Sequence, residues 1–124
     1  MVRAILLTHG TLGASLMASV ESILGPQIDV TVLSNSGLSL DQIIASLSPH
    51  IMDQPCIVFV DFCGGSPFMA CKTLALSPDT VNLVSGVNLP MLLSFFTKRG
   101  KLTFPELAET VCSDGHRGIQ LHCE

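Results

Sequence analysis

The sequence predicts a doubly wound α/β domain, a parallel sheet with helices on both faces. Two observations carry that expectation. Short apolar runs rich in β-branched residues alternate four times with segments of helical periodicity, the pattern of parallel strands joined by crossover helices. One run, Ile57-Val58-Phe59-Val60, contains no polar residue, as expected of a strand buried on both faces. With 124 residues, 48% of them apolar and 13% charged, the chain has material for a real core and reads as a single domain, residues 1–124.

The elements follow in order. Residues 2–7 form the first expected strand, which runs into Thr8-His9-Gly10. The next helix places Leu12, Leu16, Val20, Ile23 and Leu24 on one face and stops at Gly25-Pro26. Residues 28–33 alternate as a strand nearer the sheet edge does, and Ser34-Asn35-Ser36-Gly37 reads as an ordinary polar loop. Leu40, Ile43, Ile44, Leu47 and Ile51 recur at helical spacing. Residues 57–60 are the third strand, and Asp61 stands at its end. Gly64 and Gly65 permit a tight turn, Ser66 suits an N-cap, Pro67 suits the first helical position, and a helix is expected through Leu76. Residues 80–84 make the fourth strand. Gly86-Val87-Asn88 follows, with Asn88 as the cap of a helix that carries Leu89, Leu92, Leu93 and Phe96 and ends at Gly100. Phe104, Leu107, Ala108 and Val111 mark a last helix closed by Gly115, and residues 119–122 are a candidate short final strand.

Composition excludes several classes of function. The net charge is −4 and no Lys/Arg cluster exceeds Lys98-Arg99 with Lys101, so a nucleic-acid surface is not expected. No apolar run approaches the roughly 20 residues that span a bilayer. The start of the chain lacks a signal-peptide pattern, and a cytoplasmic location is expected. Five cysteines, Cys56, Cys63, Cys71, Cys112 and Cys123, form no C-x-x-C pair, so they read mostly as small buried hydrophobes and not as disulfides or zinc ligands. Cys63 carries no sign of an activated thiol. His50 reads as a surface residue at a helix end, and His116, His122 and Cys123 do not have the spacing of a metal site.

In doubly wound sheets, ligands bind at the carboxyl ends of the strands, where neighbouring connections diverge. A strand order of 2-1-3-4 would bring His9, after the first strand, beside Asp61, after the third. The carboxylate could then accept the proton of one ring nitrogen and leave the other free as a nucleophile. Peptide N–H groups of the glycine turn and the helix start could hold an anionic group there. Phosphoryl transfer is the chemistry such a site suits best. Taken alone, the same residues fit equally well a capped strand end with a hydrogen-bonded histidine.

Three motifs in order give a sharper expectation: Thr8-His9-Gly10, Asp61 with Gly64-Gly65-Ser66-Pro67-Phe68, and Gly86-Val87-Asn88-Leu89-Pro90-Met91-Leu92. Together they resemble the IIA component of the mannose-class sugar phosphotransferase system, over essentially the whole chain. The resemblance implies that His9 is transiently phosphorylated, receiving the group from the phosphocarrier protein HPr. It would pass the group to a separate IIB component, and through it to sugar taken up by membrane IIC and IID components. Asp61 would orient His9, and Ser66, Gly65, Gly64 and Gly10 would contact the phosphoryl group. No metal or organic cofactor is implied, and no direct membrane insertion. The resemblance also implies a homodimer that exchanges a C-terminal strand, for which residues 118–122 are the candidate. A regulatory module of the same fold, signalling its phosphorylation state to a protein partner, is the alternative use. A more distant alternative, the phosphotransfer subunit of dihydroxyacetone kinases, is disfavoured by the second and third motifs.

Overall fold

A computed structural model describes residues 1–51, 54–74 and 76–123. Four strands, β1 (Arg3–Thr8), β2 (Val30–Ser34), β3 (Cys56–Val60) and β4 (Val81–Ser85), alternate with helices α1 (Leu12–Leu24), α2 (Leu40–Leu47), α3 (Ser66–Thr73) and α4 (Leu89–Lys98). A fifth helix, α5 (Phe104–Arg117), follows. All pairings are parallel and the order is β2-β1-β3-β4, the order that the sequence reading required to bring His9 beside Asp61.

The pleat sorts the strand side chains into two layers. Ala4 and Leu6 of β1 and Ile57 and Phe59 of β3 face Met17, Val20, Leu92, Phe95, Leu107 and Val111 of α1, α4 and α5. Ile5 and Leu7, with Cys56, Val58 and Val60, face Ile43, Leu47, Ala70 and Cys71 of α2 and α3. All five β3 side chains are buried, because this strand is central and covered on both sides. Phe59 meets Phe95 edge-on, with ring centroids 5.4 Å apart at 83°, an arrangement that aligns ring edge with ring face.

Several boundaries differ from the sequence expectation. The second strand begins at Val30, because Asp29 takes a positive φ of 55° that breaks the extended run. The helix expected to reach Ile51 ends at Leu47 and tightens into a 3₁₀ turn over Ser48–His50. Pro49 has no N–H to continue the α-helical ladder. The third helix ends at Thr73, short of Leu76; Ala75, within the expected span, lies outside the described residues. Gly115 does not close the last helix, which continues to Arg117. It is instead a contact glycine: a Cβ there would lie 2.8 Å from Cε and 2.9 Å from Cβ of Met91, so its absence lets α5 approach α4. Residues 119–123 form no strand in the single chain. The five cysteines are free, with Cys56 and Cys71 buried and Cys63, Cys112 and Cys123 exposed, so only part of the buried-hydrophobe expectation holds.

Candidate functional site

β1 and β3 are neighbours, but their connections leave in opposite directions, since α1 and α3, which follow them, lie on opposite faces of the sheet. The loops after them therefore part at the carboxyl ends of the strands and leave a crevice. His9 and Asp61 meet across it. Asp61 Oδ2 accepts from the His9 backbone N–H at 2.9 Å and lies 2.7 Å from His9 Nδ1. Asp61 Oδ1 accepts from the Phe62 N–H at 3.2 Å. Burial by itself pushes the Asp61 carboxyl up, but the His9 backbone N–H and ring outweigh it and hold the group below the usual carboxylate range.

The geometry of the pair fixes the tautomer. An ionised carboxylate only accepts, so the 2.7 Å contact requires the proton on Nδ1, and the neutral ring keeps a lone pair on Nε2. The His9 side chain is 41% exposed while that of Asp61 is 11% exposed. The carboxylate is inside and the ring it contacts reaches solvent.

Ser66 is placed differently from its expected N-cap role. Gly65 occupies the cap position and Ser66 is the first helical residue, followed by Pro67. Its Oγ accepts from Asn35 Nδ2 at 3.2 Å. Asn35 Oδ1 in turn accepts from the Gly10 N–H at 3.3 Å, and Ser34 Oγ donates to the Gly10 carbonyl at 2.8 Å. The loop after β2, read from sequence as ordinary, thus ties the His9 loop to the start of α3. Nothing local marked Asn35 for this; the connection exists only because β2 lies beside β1. The first N–H groups of α3 have no partner inside the helix, and Gly65, its cap residue, lies against the His9 ring.

Sequence reasoning also missed Phe62. Its ring stacks on the His9 imidazole, with centroids 5.1 Å apart at 21°. Gly65 fits against both: a Cβ there would fall 2.8 Å from His9 Cε1 and 2.8 Å from Phe62 Cζ. Asn88 lies apart from the pair and acts as the helix cap expected of it, accepting from Met91 N–H at 2.9 Å and donating to the Gly115 carbonyl at 3.1 Å. His116 lines a separate hollow of about 260 Å³ with Ser85 and Gly86. His50 is committed through its backbone, its carbonyl accepting from Arg3 at 2.6 Å. Among the described residues, no three His, Cys, Asp or Glu side chains are placed to hold a metal ion, and no helix is long and apolar enough to cross a membrane.

Fold and site together define a class: a doubly wound α/β protein with a carboxylate-bonded, solvent-reaching histidine at its switch point. The chain belongs to the EIIA-man family, described as the PTS system fructose IIA component, which its residues 3–112 match. It is 28% identical to the PTS system mannose-specific EIIAB component of Escherichia coli K12, over 91% of this chain and 37% of that one. The chain therefore spans little more than a third of that relative. It is 26% identical to the PTS system sorbose-specific EIIA component of Klebsiella pneumoniae, over 88% of this chain and 83% of the relative. Among solved structures, the phosphotransferase system component EIIA from Streptococcus agalactiae superposes with a TM-score of 0.89 at 26% identity, covering 97% of this chain and 96% of that one. The mannose/sorbose specific IIA subunit from Enterococcus faecalis shares the fold, with a TM-score of 0.83 at 20% identity over 99% and 96% of the two chains.

Proposed function

We propose that this protein is a phosphoryl carrier of a phosphoenolpyruvate-dependent sugar phosphotransferase system, with His9 as the residue that takes and gives up the group. The observation that carries this reading is the 2.7 Å contact between His9 Nδ1 and Asp61, which leaves Nε2 as the free nucleophile. In the step, the Nε2 lone pair attacks phosphorus of the donor's phosphoryl group. A P–N bond to His9 forms, and the bond to the donor atom breaks with its electron pair leaving on the donor. The same step in reverse, toward a different acceptor, passes the group on. While the group is held, the α3 N-terminus, Gly64, Gly65 and the Ser66 hydroxyl stabilise its negative oxygens. The Gly10 N–H, directed at Asn35, positions the loop.

Donor and acceptor are proteins: phospho-HPr delivers the group and a IIB component, working with membrane IIC and IID components, receives it. Exposed apolar side chains support a protein partner over a small sugar. Leu12, Leu38 and Leu40 are exposed and belong to the loops and helix starts that follow β1 and β2, at the carboxyl end of the sheet. Such a rim is the composition of a docking surface. The carrier works in the cytoplasm.

The protein is a homodimer in this reading. β4 is a sheet edge flanked by a groove of about 630 Å³, lined by Lys72, Pro78, Asn82, Ala108, Glu109 and Cys112 among others. Residues 119–123 leave α5 unpaired, with Ile119 76% and Leu121 89% exposed on alternate positions. A partner's tail would supply the missing edge strand, and substituting Leu121 with Asp is expected to shift the protein to monomer in sedimentation.

The carrier reading is tested by mixing phosphoenolpyruvate, enzyme I, HPr and this protein, with intact mass as readout. One acid-labile phosphoryl group, absent in His9→Ala, is the expected result; no transfer from an HPr of the same organism overturns it. Transfer to His9 but not onward to any IIB component would favour the regulatory use of the same site.

A further inference from the structure

Phe62 is the one large side chain of the β3–α3 turn that belongs to neither core layer. It is 53% exposed, and its ring lies against the His9 imidazole and not in the core. We propose that Phe62 is a positioning residue for phosphoryl transfer at His9, fixing the tilt of the imidazole so that Nε2 points at the incoming phosphorus; this rests on the carrier reading above.

Asp61 alone cannot set that tilt. A hydrogen bond at one ring atom leaves the imidazole able to swing about the Nδ1–Oδ2 line. The near-parallel stack, 5.1 Å between centroids and 21° between planes, restrains that swing from one ring face. Gly65 closes the arrangement from the edge. Its φ is −77°, which any residue adopts, so backbone conformation does not call for glycine there. Space does: a Cβ would press on His9 Cε1 at 2.8 Å and on Phe62 Cζ and Cε1 at 2.8 and 3.0 Å. The two rings thus share one slot. The Phe62 backbone is bound into the same unit, because its N–H donates to the second oxygen of Asp61.

The stack gains a second role once the group is bound. With the proton kept on Nδ1 by Asp61 and the phosphoryl group on Nε2, the ring itself is cationic, and an aromatic face beside a cation is favourable. Phe62 therefore favours the phosphorylated ring in the same orientation that it imposes on the free one. Holding a reactive ring near its attack geometry removes part of the ordering that would otherwise fall on the reaction step.

The test is single-turnover transfer from phospho-HPr to the full chain, as a function of phospho-HPr concentration, for wild type, Phe62→Leu and Phe62→Trp. Leu keeps an apolar side chain without a ring, and Trp keeps a stacking face. The expected result for Phe62→Leu is a saturating rate about three- to tenfold lower with half-saturation unchanged, restored largely by Phe62→Trp. The proton on His9 Cε1 should also lose its ring-current shift in the NMR spectrum of Phe62→Leu, with thermal unfolding unchanged. A raised half-saturation at an unchanged saturating rate would make Phe62 a docking residue and overturn the proposal. An unaltered ring-current shift would overturn it as well. Failure of wild type to accept a phosphoryl group would instead remove the carrier reading, and the positioning role with it.

Discussion

Two aspartates of this protein are built alike and hold different partners. Asp61 gathers the His9 N–H, the His9 ring and the Phe62 N–H. Asp114 gathers Ser94 Oγ at 2.6 Å, Lys98 Nζ at 2.5 Å and the Arg117 guanidinium. Both carboxyls lie below the usual range: Asp61 despite its burial, Asp114 through its hydrogen bonds to Lys98, Ser94 and Arg117. The difference lies in what each donor has left over. Lys98 and Arg117 are donors only, so the cluster on α4 and α5 is closed and its product is helix packing. A neutral histidine has a second nitrogen, so fixing one side of the ring delivers an aimed lone pair on the other. A carboxylate with satisfied donors is scaffold or site according to its partner.

The contrast can be broken from the site side, taking the largest effect first. His9→Ala is expected to abolish phosphoryl acceptance while leaving the thermal transition in place, as read by intact mass and circular dichroism. Asp61→Asn is expected to slow transfer by about 10²- to 10⁴-fold, because an amide can hold the other tautomer and takes the lone pair off Nε2; stopped single-turnover reactions measure it. Gly65→Ala should cost about tenfold to a hundredfold, since the new methyl displaces the imidazole on the scale of an ångström. Asn35→Ala removes the link between the His9 loop and Ser66, and about tenfold or less is expected for loss of such contacts.

The smallest effect on transfer sharpens the comparison. Asp114→Ala should leave the transfer rate at the wild-type value and lower the melting temperature at pH 7. The sign of its pH dependence follows from the lowered folded-state pKa. The unfolded chain binds the proton more readily, so the Asp114 cluster stabilises the fold above the ordinary carboxylate pKa of 3.8. That contribution fades as pH falls through the still lower folded-state value. The gap between wild type and Asp114→Ala should therefore be full at pH 7 and close on acidification, as followed by thermal melts across pH. Reduced transfer in Asp114→Ala would show that the two clusters are coupled.

Strand and helix identity was legible because it is written in local periodicity. The uninterrupted apolar run of 57–60 is the fully buried β3, and Asn88 caps α4 as its position suggested. Glycines were harder. Gly115 has the residue type of a helix stop, but its use depends on Met91, which lies on another helix. His9 and Asp61 could be named from their places after strands, and their meeting was conditional on a strand order that the structure supplies.

By itself, the sequence determined the alternating elements, the two buried layers and the pair of residues that stand at strand ends, because hydrophobic period and turn chemistry act within a few residues. The tertiary structure alone decided that Nδ1 is the nitrogen Asp61 holds, that Phe62 covers the ring, and that Asn35 joins the His9 loop to α3. Those contacts join residues 25 to 53 positions apart. Parallel strands become neighbours only when crossover helices pack, and no local pattern encodes which atoms then come into contact.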